Sequence, residues 1–339
     1  MQINLDRIQK EIDNGYIRSS RHNKYSYTIY NYTQSAHFDD HWNLETITCR
    51  GLILSDDNEV IALPFEKFFN WGERGRVGNG YLKTAMEKLD GSLGILYRSP
   101  DNEYRMATRG SFESEQAVWA TKFLNDNYDL GILSDRLTLL FEIIYPDNRV
   151  VVDYGEREDL VLLAARDRFT GKYVDFYPFL YSLGEELGFS MPQVYGFNSI
   201  TEIIEATGRI NANQEGWVAE LSDGSRWKFK GDEYRELHKL IHGLSFKKIV
   251  SAMKYGTINE VMESIPEEFK DEAEDWRNQV AHTVHNIKQQ VILSYDAAPK
   301  NTRKEFALWV QENCPDISSY MFLKFDGRDY VDLIYDREF

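Results

Sequence analysis

The chain has 339 residues, 42% of them hydrophobic and 28% charged, which suits two domains better than one and supplies apolar surface for folded cores rather than disorder. Only two cysteines occur, Cys49 and Cys314, which argues against a disulfide framework or a structural zinc site; no apolar run approaches the ~18 residues that span a bilayer. The net charge of −16 argues against a surface coated with nucleic acid, yet Ser222 to Lys254 carries eight Lys/Arg against four Asp/Glu, so a local basic groove is compatible with it. Met1 to Lys10 shows no signal-peptide core, and a reducing cytoplasm is the expected location.

Runs rich in β-branched and aromatic residues, bounded by Gly, Asp, Asn or Pro, predict strands at Thr46–Leu54, Leu93–Arg98, Arg105–Thr108, Leu137–Ile144, Arg149–Val152, Leu160–Ala165, Gly216–Leu221 and Trp227–Phe229. Helices are predicted over Glu113–Asn125, Pro178–Leu187 and Ile200–Ala206. The glycine-rich run Gly72 to Gly80 lacks the Gly-Lys-Ser/Thr ending of a P-loop and reads as a mobile connection carrying Arg74 and Arg76.

After Asp232 the pattern becomes helical only. Phe269, Ala273, Trp276, Val280, Val284, Ile287 and Val291 recur at helical spacing, an apolar stripe that serves core packing. Asn259 to Trp276 holds one Lys against eight acids, so a phosphate backbone would approach instead along Arg235, Lys239, Lys247 and Lys248. The domain boundary is placed between residues 243 and 244. His238 and His242 are four apart on a helix but lack a third ligand, so they read as a surface pair rather than a zinc site.

The most informative stretch is Glu87-Lys88-Leu89-Asp90-Gly91-Ser92, a lysine before a tight turn that leads into a strand, with Gly91 expected to supply backbone freedom. A lysine nucleophile must present a free amine, which burial or neighbouring cations such as Arg50, Lys228 and Lys230 would favour. In Trp227-Lys228-Phe229-Lys230, strand alternation puts both lysines on one face and both aromatics on the other.

That lysine motif stands in order with Cys49-Arg50-Gly51-Leu52-Ile53-Leu54, Glu66-Lys67-Phe68-Phe69-Asn70, Arg109-Gly110-Ser111-Phe112, Phe141-Glu142-Ile143, Glu215-Gly216-Trp217-Val218 and Trp227-Lys228-Phe229-Lys230. Over residues 49–234 the chain resembles the phage RNA ligase 1 family of ATP-dependent covalent nucleotidyltransferases. The resemblance implies an α+β fold: a nucleotidyltransferase (ATP-grasp-like ligase) domain of antiparallel sheets and helices over residues 1–243, followed by a smaller all-helical domain over 244–339 that selects the RNA. It implies that Lys88 attacks ATP to form lysyl-AMP, and that AMP then passes to an RNA 5′-phosphate, from which an RNA 3′-hydroxyl displaces it.

As ATP- or AMP-binding residues the resemblance implies Arg50, Lys67, Phe69, Glu87, Asp90, Gly91, Arg109, Glu142, Val218, Lys228 and Lys230. Glu142 and Glu215 are the implied ligands of Mg2+, with Mn2+ as an alternative, since Mg2+ keeps several waters and takes only one or two carboxylates. The family commonly carries lysine where this chain has Arg109; a phosphate clamp survives that exchange, whereas a role for a neutral amine would not. Expected partners are RNA ends bearing 5′-phosphate and 3′-hydroxyl groups, cleaved tRNA among them, in a bacterial or phage-infected cytoplasm. A DNA ligase or a capping-type nucleotidyltransferase uses the same Lys-x-Asp-Gly nucleophile but usually appends a β-barrel, which the helical C-terminal pattern disfavours. A non-catalytic RNA-binding protein on the same scaffold would have no need of Lys88, Glu142, Glu215, Lys228 and Lys230 together.

Overall fold

In the computed structural model, which describes residues 3–241, 243–265 and 269–339, three four-stranded antiparallel sheets precede a run of helices. The chain divides into two compact units, Met1–His238 and Lys239–Phe339. The first sheet, in the order β1-β2-β3-β4, is built from β1 (Ile17–Arg21), β2 (Tyr27–Tyr32), β3 (Arg50–Ser55) and β4 (Val60–Ala62). It is flanked by α1 (Leu5–Asp13), α2 (Gln34–Phe38) and α3 (Leu44–Thr48).

The expected strand over Thr46–Leu54 is thus helical over its first three residues, 46–48, and a strand only from Arg50. Asn43 accepts a hydrogen bond from the Thr46 N–H at 2.9 Å, and the Thr46 hydroxyl accepts one from the Asn43 N–H at 2.9 Å. This reciprocal capping box starts a helical turn despite the β-branched Thr46, Ile47 and Thr48.

The other two sheets position the site. One has the order β10-β5-β11-β12, with β5 (Leu82–Lys88), β10 (Val194–Tyr195), β11 (Gly216–Leu221) and β12 (Arg226–Lys230). The other has the order β7-β6-β8-β9, with β6 (Ser92–Arg98), β7 (Tyr104–Ala107), β8 (Leu137–Ile144) and β9 (Asp159–Asp167). Helices α4 (Glu115–Asn127), α5 (Tyr181–Leu187) and α6 (Ile200–Thr207) complete the layers. The turn at residues 89–91 carries the chain from β5 of one sheet into β6 of the other.

Along β11 and β12 the side chains alternate as the pleat requires. Trp217, Ala219, Trp227 and Phe229 are buried in one apolar cluster together with Ala85 and Ile203, each large side chain contributing about 1.5–3 kcal/mol on burial. The opposite face is left to Lys228 and Lys230.

Two further expectations differ from the structure. Arg149–Val152 is not a strand, because the Val151 and Val152 N–H groups both donate to the Asp90 carboxylate rather than to a neighbouring chain. The Gly72 to Gly80 segment is anchored, not a loose connection: Arg76 pairs with Asp40 and lies 4.7 Å from the Phe69 ring, and Glu73 accepts from both the backbone and the side chain of Asn70.

In the second unit, α8 (Phe246–Lys254), α9 (Ile258–Ser264), α10 (Lys270–Ala297), α11 (Arg303–Asn313), α12 (Ser318–Phe325) and α13 (Val331–Glu338) follow α7 (Asp232–Ile241), whose last residues cross the division. The apolar stripe falls on α10 and buries Ala273, Val280, Val284 and Val291. The last three share a core with Phe306, Val310, Tyr320, Met321 and Ile334. His238 is buried rather than on the surface, and edge-on to Tyr234 with ring centroids 5.5 Å apart; His242 lies outside the described residues. No described helix is long and apolar enough to cross a membrane.

Candidate active site

The register of β5, β11 and β12 lays out one end of the site. Lys88 on β5 lies opposite Gly216 on β11, which lies opposite Lys230 on β12. One step along the same face comes a second row, Met86, Val218 and Lys228. Glu215, just before β11 and only 3% exposed, joins the two lysines of the first row: Lys88 Nζ donates to Oε2 at 2.7 Å, and Lys230 Nζ lies 2.9 Å from Oε1. Gly216 makes this arrangement available. It sits at φ +138°, and a Cβ there would lie 1.9 Å from the Phe229 carbonyl oxygen, so only glycine fits between the two lysine-bearing strands.

The turn after Lys88 is held from beneath. Asp90 is buried; its Oδ2 accepts from the N–H groups of Val151 and Val152, each at 2.8 Å, and its Oδ1 from the Tyr234 hydroxyl at 2.8 Å. Its own N–H donates to the Tyr154 oxygen at 2.9 Å. Asp90 therefore fixes the turn after Lys88 rather than facing a ligand. Gly91 is required for space, not for an unusual backbone angle: it has no positive φ, but a Cβ would come within 2.5 Å of the Ile143 carbonyl oxygen and 3.2 Å of Glu142 Cγ. Glu142 of β8 approaches so closely only because that side chain is missing.

A cavity of about 220 Å³ opens between these two sheets, lined by Arg50, Glu87, Lys88, Gly91, Glu142, Val218, Lys228 and Lys230, with Phe65, Phe68, Met86, Leu163 and Pro192 as its apolar walls. Arg50 enters from β3; its Nη1 is buried without a hydrogen-bond partner, and its guanidinium lies 5.8 Å from the Phe68 ring. Lys228 Nζ lies 4.9 Å from the same ring. Carbon-rich walls interleaved with cations suit a planar base joined to phosphates.

Not every sequence-predicted residue enters this cavity. Phe68, not Phe69, lines it. Phe69 turns to a neighbouring cluster with Trp42, Lys67 and Arg76, at 5.6, 4.8 and 4.7 Å. Arg109 stands over Tyr32, 5.3 Å from its ring, and donates to its hydroxyl at 3.2 Å. Sequence reasoning missed Phe68, Phe65, Leu163 and Pro192, which carry no chemical signature of their own. It also missed Arg226, which lines the cavity and was legible as one more step of the Arg226, Lys228, Lys230 alternation.

Burial pushes the Glu142 carboxyl up to about 8, with the negative charges of Glu215 and Asp90 adding to the effect and Lys88 and the Gly91 N–H opposing it. Carboxylates crowded at a half-desolvated point form an environment that a divalent cation would relieve. Both oxygens of Glu215 and of Asp90 are already engaged, whereas Glu142, which accepts from the Gly91 N–H, and Glu87 also line the cavity and are the carboxyls with capacity for one. Among the described residues no cluster of three or more His, Cys, Asp or Glu is arranged for a metal.

An ordinary glutamate titrates near 4.3, so the raised folded-state value makes this carboxyl's contribution to stability complete below about pH 4 and progressively lost as pH rises through 8. Glu142→Gln, which does not titrate, should match the wild-type Tm at pH 4 and exceed it by a margin that widens to pH 8 in the presence of a chelator. A margin constant across that range would contradict the burial argument.

A family model described as RNA ligase matches residues 48–235, more than half of the chain. A Thermovibrio ammonificans protein provisionally described as an RNA ligase is 29% identical over 259 residues, covering 70% of this chain and 64% of that protein. The RNA ligase of Rhodothermus phage RM378 is 23% identical over 379 residues, covering 88% of this chain and 85% of the phage protein. Among solved structures, an archaeal ATP-dependent RNA ligase aligns with a TM-score of 0.48 at 14% identity, over 91% of this chain and 86% of that one. The chain thus spans less than two thirds of the length of the Thermovibrio relative.

Proposed function

Because the chain belongs to the RNA ligase family, we propose that it joins RNA 5′-phosphate and 3′-hydroxyl ends at the expense of ATP, with Lys88 as the covalent nucleophile. The observation that carries this reading is the junction at Glu215, which holds Lys88 and Lys230 together in the lining of a cavity whose other cations are Arg50, Arg226 and Lys228.

In this mechanism the base lies between the apolar walls and the α-phosphorus faces Lys88. Glu215 Oε2, 2.7 Å from Nζ, is within reach to accept the proton that the amine must lose. The Lys88 nitrogen forms a bond to the α-phosphorus, the bond to the bridging oxygen breaks, and pyrophosphate leaves. A terminal RNA 5′-phosphate oxygen then attacks the same phosphorus and frees the lysine. Finally the 3′-hydroxyl attacks the RNA 5′-phosphorus, and AMP departs. Arg50, Lys228 and Lys230 neutralise the phosphate charge in fixed positions, so little reorganisation accompanies each transfer.

Glu142 would hold Mg2+, or Mn2+ in its place, with Glu215 as a second carboxylate if its lysine pairs open. The ion would supply charge neutralisation at the phosphates. Lys67, Phe69 and Arg109, gathered outside the cavity lining, would meet the phosphate tail or the RNA rather than the base. The helical unit after His238 would select the RNA, cleaved tRNA being one substrate of this class, through the basic segment of Lys247 and Lys248.

One experiment tests the whole reading: incubation with α-labelled ATP and a divalent metal, followed by addition of 5′-phosphorylated RNA. Acid-stable label should appear on the protein, move to the RNA and be released as a phosphodiester forms. Charge reversal at Lys247 and Lys248 should reduce sealing about tenfold at low salt while sparing protein labelling, an effect that shrinks as salt rises. Absence of protein labelling would refute the reading; equal loss of labelling and sealing in the charge-reversed protein would refute the division of labour.

A further inference from the structure

The face of the sheet that carries Lys88 continues beyond the second row. Thr84 on β5 pairs with Glu220 on β11, which pairs with Arg226 on β12, making a third row four residues along β12 from Lys230, or about 13 Å at strand rise. Arg226 lines the same cavity as Lys228 and Lys230. Apart from Lys228 in the second row, the lining near these rows includes the apolar Met86 and Val218, and Phe65, Phe68, Leu163 and Pro192 line the same cavity. Triphosphate would not rest against such walls, whereas a nucleobase would. With the α-phosphorus at Lys88, the group that meets Arg226 at the far end is the edge of the base.

Arg226 is built to a fixed geometry. Its side chain is 11% exposed, Nη2 is 2.7 Å from Glu220 Oε2, and the guanidinium lies 3.8 Å from the centroid of Tyr173. Glu220 is in turn fixed by Lys83, 3.0 Å from its other oxygen, and the Tyr173 hydroxyl accepts from the Glu66 N–H at 3.1 Å. One edge and one face of the guanidinium are therefore committed, and the remaining N–H groups are held rigidly at the cavity wall. An arginine fixed in this way loses little entropy when it donates a further hydrogen bond.

We infer that Arg226 reads the nucleobase of the ATP substrate by donating a hydrogen bond to a purine ring nitrogen, and so contributes to nucleotide recognition in lysine adenylylation. This rests on the nucleotide reading of the cavity. Ring nitrogens are acceptors, which a guanidinium can meet and which a carbon in their place cannot.

Initial rates of protein labelling with ATP and with its 1-deaza, 3-deaza and 7-deaza analogues, each lacking one ring nitrogen, test the inference. For the wild-type protein, one of the three analogues should lose about tenfold in kcat/KM, chiefly through KM, as expected for one hydrogen bond to a charged donor. Arg226→Met should lose a similar factor on ATP itself and should no longer distinguish that analogue, and Arg226→Lys should restore only part of the discrimination. A wild-type profile flat across the three analogues overturns the inference without any variant having to fold. Arg226→Met that weakens ATP but keeps the full analogue penalty overturns it as well, since Arg226 would then only brace Glu220 and Tyr173. Failure of ATP itself to label the protein would instead refute the nucleotide reading, so the two failures are distinguishable.

Discussion

Lys88→Ala and Lys88→Arg should each lose protein labelling by at least about a thousand-fold, the scale expected when a covalent nucleophile is removed, with the fold retained by circular dichroism. The arginine variant is the more demanding test. It keeps a cation opposite Glu215, so a purely electrostatic role for Lys88 would leave substantial activity, whereas a guanidinium stays protonated and cannot attack phosphorus. Both variants should still seal RNA supplied with AMP already on its 5′-phosphate, because the lysine has no bond to form once that transfer is complete. Wild-type labelling by Lys88→Ala would place the nucleophile elsewhere, and loss of sealing on pre-adenylylated RNA by both variants would show that the lysine also serves the last step.

The fold class was legible because two kinds of periodicity dominate the chain. Leu137–Ile144 and Gly216–Leu221 read from β-branched and aromatic runs as β8 and β11 to the residue, and the recurrence at intervals of three and four residues from Phe269 to Val291 marked α10. The strand that bears Lys88 was not legible. Leu82–Lys88 is Leu-Lys-Thr-Ala-Met-Glu-Lys, largely helix-forming residues; it is a strand because β11 and β10 pair with its two edges, a tertiary condition that local propensity does not contain.

The candidate site was read in a similar way. Charged residues two apart on one strand, Lys228 and Lys230, could be assigned to a shared face from the sequence. Phe68 and Phe69 could not be told apart, since residues 66–69 run outside the regular strands and only the fold decides which ring turns inward. The purpose of Gly91 was misread for the same reason, because the carbonyl of Ile143 that excludes a side chain is 52 residues away in sequence.

The junction at Glu215 makes a prediction in which stability and activity part company. Both carboxylate oxygens are engaged, by Lys88 at 2.7 Å and Lys230 at 2.9 Å, and Glu215 and Lys230 are 3% and 9% exposed. Breaking a buried pair by removing one partner leaves an uncompensated charge and costs about 3–5 kcal/mol, whereas removing both partners together costs much less. Glu215→Ala should therefore lower the denaturation free energy by about 3 kcal/mol or more, and Lys230→Met in that background should recover a measurable part of it. Labelling with ATP should stay lost in the double variant, because Lys88 would have neither an oriented amine nor a nearby proton acceptor and the phosphates would lack one of their cations. Chemical denaturation of the wild type, both single variants and the double variant, with label transfer measured on each, separates these contributions. If Lys230→Met added its full cost on top of Glu215→Ala, the two residues would be independent and the Glu215–Lys230 pair would not be a coupled bridge. If the double variant regained labelling along with stability, Glu215 would matter to the reaction only through the fold.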